Sequence, residues 1–157
     1  MPDREVPALA AELGMEPHPE GGWFVRTWAA RPTVETPTGT RPTATLIHFL
    51  LQAGEVSAWH AVVSDEVWLW HGPGGLALQL GGTGDEPDAD GPVQTLGPAT
   101  AGHPALFQAL VPADTWQRTL PALPRSWSVV WSRRASTMPT GDSSSRDLSA
   151  TRTDSTK

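Results

Sequence analysis

Glycine and proline interrupt this chain so often that long helices are excluded. The 157 residues include 15 glycines and 16 prolines, which recur in turn signals such as Gly72-Pro73-Gly74-Gly75. Between these breakers lie short β-branched and aromatic segments at intervals of roughly ten residues, the spacing of an antiparallel sandwich or barrel. We therefore predict a single all-β domain over residues 1–136, with one short helix at residues 6–13.

Individual elements follow from the apolar pattern. Residues 43–51 are apolar on both faces and predict a buried strand, residues 56–63 predict a second, and residues 66–71 predict a third that alternates. Residues 29–42 contain three prolines and a glycine, and we expect a loop there. Residues 137–157 are rich in serine and threonine and too poor in apolar side chains to offset their ordering entropy, so we predict a flexible tail.

Composition excludes several classes of function. Without cysteine, the chain has no disulfide, thiolate metal site or cysteine nucleophile. Its 17 acidic and 11 basic residues give a net charge of −6, and clustered basic residues for binding nucleic acid are missing. No apolar run is long enough to span a membrane, and the N-terminus lacks the pattern of a signal peptide, so we expect a cytoplasmic protein.

His60 has the most informative context of the histidines. It follows Gly54 by six residues and precedes Glu66 by six, and Gly72 follows the next predicted strand. This pattern resembles the first motif of the cupin superfamily, and residues 112–117 resemble the second motif in outline.

The segment at residues 17–22, Pro-His-Pro-Glu-Gly-Gly, makes the resemblance more specific. With the strand that follows it, this segment resembles a branch of small, largely uncharacterised bacterial cupins. The resemblance implies a double-stranded β-helix, which is a jelly-roll barrel with a ligand pocket at one mouth, and it implies a homodimer. Within the segment, His18 and Glu20 either line the pocket mouth or fix a tight turn.

The chain departs from the cupin motifs at three positions. Metal-binding cupins carry a second and a third histidine where this chain has Val62 and Gln117. The remaining set of His60, Glu66 and Gln117 is poor for Fe, Ni or Zn, which favour more imidazole. We therefore expect no cofactor, with a weakly held divalent metal on this set as the alternative. Asp114 stands where the second motif has glycine, and because aspartate tolerates positive φ we expect that turn to survive.

The missing tyrosine limits the acid–base chemistry. Cupins that epimerise nucleotide sugars without metal use a histidine base and a tyrosine acid, and this chain has no tyrosine. We predict His60 as the base, Glu66 as its orienting carboxylate or as the acid, and His48 as a second proton carrier unless it is a core histidine. The predicted substrate-binding residues are Trp23, Arg26, Trp68, Trp70 and Gln117. The tryptophans form an aromatic wall in this hypothesis, and core packing is the alternative.

Three functions remain open at this stage. The first is a small-molecule enzyme that performs metal-independent isomerisation, epimerisation, cyclisation or elimination. The low lysine content, with abundant alanine, glycine, proline and arginine, is typical of a high-GC bacterium and favours a role in secondary metabolism. The second is a metal-dependent, oxygenase-like cupin, and the third is a non-catalytic cupin that binds a small ligand.

Overall fold

The computed structural model describes residues 5–36, 39–121 and 128–135, the last range by its backbone alone. The predicted tail at residues 137–157 lies outside these ranges, and the division into a domain and a tail stays a prediction. Among the described residues, no helix combines the length and apolar character needed to cross a membrane. The elements are α1 (Ala8–Glu12), β1 (Glu16–Pro17), β2 (Trp23–Ala29), β3 (Thr33–Thr36), β4 (Gly39–Pro42), β5 (Ala44–Leu51), β6 (Glu66–Trp70), β7 (Leu76–Leu80), β8 (Val93–Leu96), β9 (Gln108–Val111), β10 (Gln117–Thr119) and β11 (Ser128–Ala135).

The strands form two main sheets and a hairpin, all with antiparallel pairing. The larger sheet has the order β1-β2-β5-β11-β6-β9, and the smaller has the order β10-β7-β8. Strands β3 and β4 pair with each other. The all-β architecture with one short helix is therefore as predicted from the spacing of the turn signals.

The core lies between the two sheets. Phe49 and Leu51 of β5 and Trp68 of β6 meet Leu76 and Leu78 of β7 in one buried cluster. Each of these side chains is at most 4% exposed. Side chains alternate between the faces of a strand, so the residues of β5 and β6 that alternate with Phe49, Leu51 and Trp68 point to the outside of the larger sheet.

Helix α1 covers one end of that outer face. Ala10 of the helix and Met15 pack against Trp23 of β2 and Leu50 of β5. The helix ends before Gly14, which has a φ of 62° and allows the chain to reverse towards β1. Trp23 is consequently part of this outer cluster.

The prediction of a loop at residues 29–42 is wrong, because β3 and β4 form a hairpin there. Residues 33–36 read Thr-Val-Glu-Thr, a β-branched alternation that favours a strand. The prolines stand where a strand tolerates them: Pro32 precedes β3, and Pro42 is the last residue of β4. The main-chain amide and the hydroxyl of Thr43 both donate to the Pro32 carbonyl at the open end of the hairpin.

The prediction of a regular strand at residues 56–63 is also wrong. His60 exchanges both main-chain hydrogen bonds with Gln117, and the Ser57 carbonyl accepts from the Thr119 amide. These bonds lie three residues apart on the first segment, from Ser57 to His60, but only two residues apart on β10, from Gln117 to Thr119. Residues 57–60 therefore contain one extra residue, as in a β-bulge. The Ala58 amide turns away from β10 and donates to the Glu20 carbonyl at 2.7 Å. We call residues 57–60 the bulged segment.

The turn at residues 112–115 survives the replacement of glycine, as expected. Asp114 adopts a φ of 59°. Its amide donates to the Val62 carbonyl at 2.7 Å, and the neighbouring Ala113 amide donates to the Asp65 carboxylate at 2.9 Å. These bonds attach the turn to the residues that follow the bulged segment.

The turn at residues 18–22 is locked against the chain just before the bulged segment. The His18 amide donates to the Gly22 carbonyl, and the Gly21 amide donates to the His18 carbonyl, each at 3.0 Å. Gly21 has a φ of 110°, and a Cβ atom there would overlap the Val56 carbonyl oxygen. Glycine is therefore required at residue 21 both for its backbone angle and for this close approach.

We expect Gly21→Ala to destabilise the fold more than a matched glycine substitution. Gly39 has a φ of 112°, and a Cβ atom there would meet open space. Gly39→Ala should lower the free energy of unfolding by about 1–2 kcal/mol from backbone strain. Gly21→Ala should lower it by about 1–3 kcal/mol more, because the overlap with Val56 forces the two segments apart. Urea unfolding of both variants measures the difference, and equal losses would contradict the predicted contact.

Candidate functional site

A pocket opens between the bulged segment and the inner face of the larger sheet. Strands β2, β5 and β6 supply one side of it, and the 18–22 turn and the bulged segment supply the other. The lining side chains are His18, Glu20, Phe24, Arg26, Thr45, Ile47, Phe49, Ser57, His60, Glu66 and Trp68.

Strand register explains which residues of the sheet face the pocket. Phe24 pairs with Phe49, and Arg26 pairs with Ile47 in the next inward row. The register then shifts at Thr27, which is an extra residue in β2. Arg26 thus remains on the inner face and is the exposed cation of the pocket rim.

An aromatic group forms the floor of the pocket. The His18 ring meets Phe24 and Phe49 edge-on, with ring centroids 4.9 and 5.2 Å apart. Phe49 meets Trp68 in the same manner at 5.9 Å. Edge-to-face contacts of this kind fix the relative orientation of the rings. Phe24, Phe49 and Trp68 therefore form an apolar floor with fixed ring orientations, and His18 connects this floor to the polar walls.

His60 is held in one tautomer. Its Nδ1 atom lies 2.8 Å from the Ala58 carbonyl oxygen. A carbonyl can accept but not donate, so Nδ1 carries the proton and Nε2 keeps its lone pair in the neutral ring. Nε2 lies 3.6 Å from Oε2 of Glu20, and the His60 side chain is 11% exposed. The imidazole is thus oriented as a proton acceptor beside a carboxylate.

Glu20 links the two histidines of the pocket. Its Oε2 atom lies 3.3 Å from Nδ1 of His18 and 3.6 Å from Nε2 of His60. The Glu20 amide also donates to Nδ1 of His18 at 3.3 Å when that nitrogen is unprotonated. Either imidazole, once protonated, therefore has the Glu20 carboxylate as its counterion.

Glu66 is held from behind by a hydrogen-bonded chain. The indole N–H of Trp68 donates to Oε1 of Gln117 at 2.7 Å, and Nε2 of Gln117 donates to Oε2 of Glu66 at 2.6 Å. Because indole nitrogen is a donor, the orientation of the Gln117 amide is forced. The described hydrogen bonds leave Oε1 of Glu66 uncommitted.

The structure brings part of the predicted site together. His60, Glu66, Arg26 and Trp68 all line the pocket. The carboxylate within ion-pair distance of His60 is that of Glu20, however, whereas the Glu66 carboxylate is bonded to Gln117.

Gln117 lies behind the pocket wall and is fully buried. Both ends of its amide are used by Trp68 and Glu66, so it positions Glu66 and does not contact a ligand itself. The predicted ligand set of His60, Glu66 and Gln117 therefore does not fit a metal ion. Among the described residues, no three histidine, aspartate or glutamate side chains are grouped to hold one.

Three of the predicted site residues lie elsewhere. Trp23 packs under helix α1, in the outer cluster. Trp70 is on the inner face but beyond the pocket, where its indole N–H donates to the Gly74 carbonyl and its ring meets Phe107. His48 alternates with Ile47 and Phe49 on β5 and therefore faces the outside of the larger sheet.

Sequence reasoning missed the inner face of β5 and Ser57. Thr45, Ile47 and Phe49 share one face by simple alternation. Residues 43–51 are apolar on both faces, however, so the alternation does not single out either face. The sequence did not indicate Ser57 as a pocket residue, because on a regular strand it would point to the face opposite to that of His60.

His48 should make stability depend on pH. Burial, and secondarily the charge of His71, lowers the pKa of His48 below its ordinary value of 6.5. The unfolded chain therefore binds the proton first as the pH falls, and the free energy of unfolding should decrease from about pH 7 to about pH 5. In His48→Gln this decrease should be smaller, whereas His103→Gln, on an exposed turn, should behave as the wild type. Urea unfolding across this range checks it, and an unchanged slope in His48→Gln would contradict the assignment.

The Trp68–Gln117–Glu66 chain can be tested with a double-mutant cycle. Gln117→Leu leaves buried polar atoms on both neighbours unpaired and should cost about 2–4 kcal/mol of unfolding free energy. Trp68→Phe removes the indole donor, so the two substitutions together should cost less than their sum, by about 0.5–3 kcal/mol. The control is Trp70→Phe, whose indole bonds elsewhere, and its effect should add to that of Gln117→Leu within about 0.5 kcal/mol. Additivity in both cycles would argue against the chain.

Comparison with known proteins places these features in a family. The family model described as Cupin superfamily (DUF985) matches residues 7–132. Among solved structures, protein SO0799 from Shewanella oneidensis is 25% identical with a TM-score of 0.65, over 81% of this chain and 75% of that chain. A hypothetical protein from Leishmania major is 23% identical with a TM-score of 0.64, over 80% and 78% of the two chains.

A more distant structure shares the fold alone. KdgF from Halomonas sp. is 14% identical with a TM-score of 0.50, over 78% of this chain and 86% of that chain. A search of curated proteins found no match. The predicted all-β cupin fold is confirmed by the family model and the solved structures together. With the model matched over residues 7–132, the chain belongs to the family described as Cupin superfamily (DUF985).

Proposed function

We propose that this cupin is a small-molecule enzyme that performs acid–base chemistry with His60 as the base and Glu66 as the acid. The observation that carries the proposal is the hydrogen bond from Nδ1 of His60 to the Ala58 carbonyl. This bond leaves the lone pair of Nε2 for a substrate proton. A structural histidine would not need its second nitrogen to face a ligand pocket.

Glu20 supports the charged state of the base. When Nε2 of His60 accepts a proton, the imidazolium gains a carboxylate at 3.6 Å, and the His60 side chain is 11% exposed. Such a partner stabilises the charge that develops during proton transfer. Glu20 therefore acts on the reaction through His60.

Glu66 supplies the second proton position. Gln117 holds one carboxyl oxygen, so the other oxygen faces a ligand in a fixed orientation. In its acid form Glu66 gives a proton to the substrate while His60 removes one. Return of both protons at different atoms or faces is an isomerisation or epimerisation, and loss of a protonated leaving group is an elimination. The aromatic floor of Phe24, Phe49 and Trp68 excludes water beneath the reacting atoms.

Solvent deuterium exchange tests the proposal even while the substrate is unidentified. A small-molecule extract is incubated with the protein in D2O, and mass spectrometry detects carbon-bound deuterium. The wild type should label at least one compound, and His60→Ala and Glu66→Gln should each reduce the labelling rate by about 10²–10⁴-fold. His103→Ala, on an exposed turn, is the matched control and should label at the wild-type rate.

The exchange experiment and two further measurements separate the alternatives. Labelling that persists in both site variants would overturn the roles of His60 and Glu66. Stoichiometric metal in protein purified without chelator, with oxygen-dependent products, would favour an oxygenase-like enzyme. A retained compound that is never converted would favour a binding protein.

The homodimer implied by the resemblance is part of the proposal, and sedimentation equilibrium measures it.

A further inference from the structure

Ser57 carries a buried hydroxyl that the fold leaves without a hydrogen bond. The residue is 1% exposed and lines the pocket. Among the described residues, none is a hydrogen-bond partner for its Oγ atom. Buried hydroxyls are nearly always hydrogen-bonded, because burial without a partner is unfavourable. A ligand bound in the pocket would provide the hydrogen bond that this hydroxyl does not form within the described residues.

The main chain of Ser57 is fixed from both sides. Its amide donates to the Thr119 hydroxyl at 2.7 Å, and its carbonyl accepts from the Thr119 amide at 3.1 Å. The next residue, Ala58, is held by the Glu20 carbonyl. With the backbone fixed, the hydroxyl can rotate about one bond but cannot leave the pocket wall.

The bulged segment is the reason that Ser57 and His60 share the pocket. In a regular strand, residues three apart point to opposite faces. The extra residue cancels this difference and sets the serine hydroxyl and the imidazole on the same side, above the aromatic floor. β-Bulges commonly re-aim a side chain beside an active site.

Arg26 indicates the charge of a ligand that would suit this pocket. It lies at the exposed rim of the same pocket, and in the described part of the chain it forms no ion pair. A guanidinium is always charged and matches a carboxylate with two parallel hydrogen bonds. The Glu20 carboxylate, in contrast, accepts hydrogen bonds and suits a ligand that carries a hydroxyl group.

We propose that Ser57 is a ligand-binding residue and that the pocket takes a small hydroxylated carboxylate. The ligand's acid group binds Arg26, and its hydroxyl group hydrogen-bonds Oγ of Ser57. This inference rests on the pocket assigned under the proposed function and deepens it by naming the class of ligand. The inference concerns binding, which calorimetry measures without turnover.

Three pairs of acids test the ligand class by calorimetry. Each pair contains a hydroxy acid and the same acid without its hydroxyl: lactate with propionate, 3-hydroxybutyrate with butyrate, and mandelate with phenylacetate. In the wild type, at least one hydroxy acid should bind about two- to tenfold more tightly than its partner, as one added hydrogen bond gives. Ser57→Ala should abolish this preference and leave the affinity for the partner acid unchanged.

Two further variants separate the parts of the proposal. Arg26→Gln should weaken both members of a pair by the same factor, because both carry the carboxylate. Ser64→Ala removes a second buried serine that does not line the pocket, and it should leave all affinities unchanged. A preference that survives in Ser57→Ala, or no binding by any of the six acids, overturns the inference.

Thermal unfolding without ligand excludes a merely structural serine. An unpaired buried hydroxyl contributes no hydrogen bond to the free protein and its burial is unfavourable, so the melting temperature of Ser57→Ala should equal or exceed that of the wild type. A fall of more than about 4 °C would show that the hydroxyl stabilises the fold and would overturn the inference.

If the hydroxy acids bind through Ser57 but no compound exchanges deuterium, the proposed catalysis fails and the binding site stands. Exchange without binding of these acids gives the opposite result.

Discussion

One extra residue in the bulged segment determines the chemistry of the pocket. Ser57 and His60 are both tied to β10 by main-chain hydrogen bonds, and the surplus residue between those ties must turn out of the ladder. It does so at Ala58, whose amide binds the 18–22 turn and whose carbonyl binds the His60 ring. The same irregularity therefore connects two distant segments, fixes a tautomer and brings Ser57 to the pocket wall.

The opposite wall depends on a buried amide in the same short strand. Gln117 exchanges main-chain hydrogen bonds with His60, while its side chain joins Trp68 to Glu66. Strand β10 thus holds His60, the proposed base, through its backbone and Glu66, the proposed acid, through the Gln117 side chain. Because Glu66 stands on β6 of the larger sheet, the placement of β10 against that sheet sets the position of His60 relative to Glu66.

The sequence predicts this fold because its turns are marked and its strands are short. The antiparallel architecture and the stop of α1 at Gly14 follow from glycine and proline positions, and the positive φ of Asp114 follows from the motif. The irregularity within residues 56–63 could not be predicted in this way. Their apolar alternation is typical of a strand, and the extra residue is visible solely from the pairing with β10. Trp70 was misplaced because alternation gives a face but not the distance along the sheet from the pocket. Trp23 was misplaced because it lies on the outer face of the larger sheet, under α1.

Gln117 also explains how a cupin wall can hold a carboxylate without the third histidine. Trp68 requires an acceptor and Glu66 accepts a donor, and a primary amide offers both groups from one uncharged side chain. A neutral imidazole can also accept with one nitrogen and donate with the other, but protonation removes its acceptor and breaks the bond to the indole. The amide keeps both bonds when protons move in the pocket, so Glu66 can gain or lose a proton while its support stays unchanged.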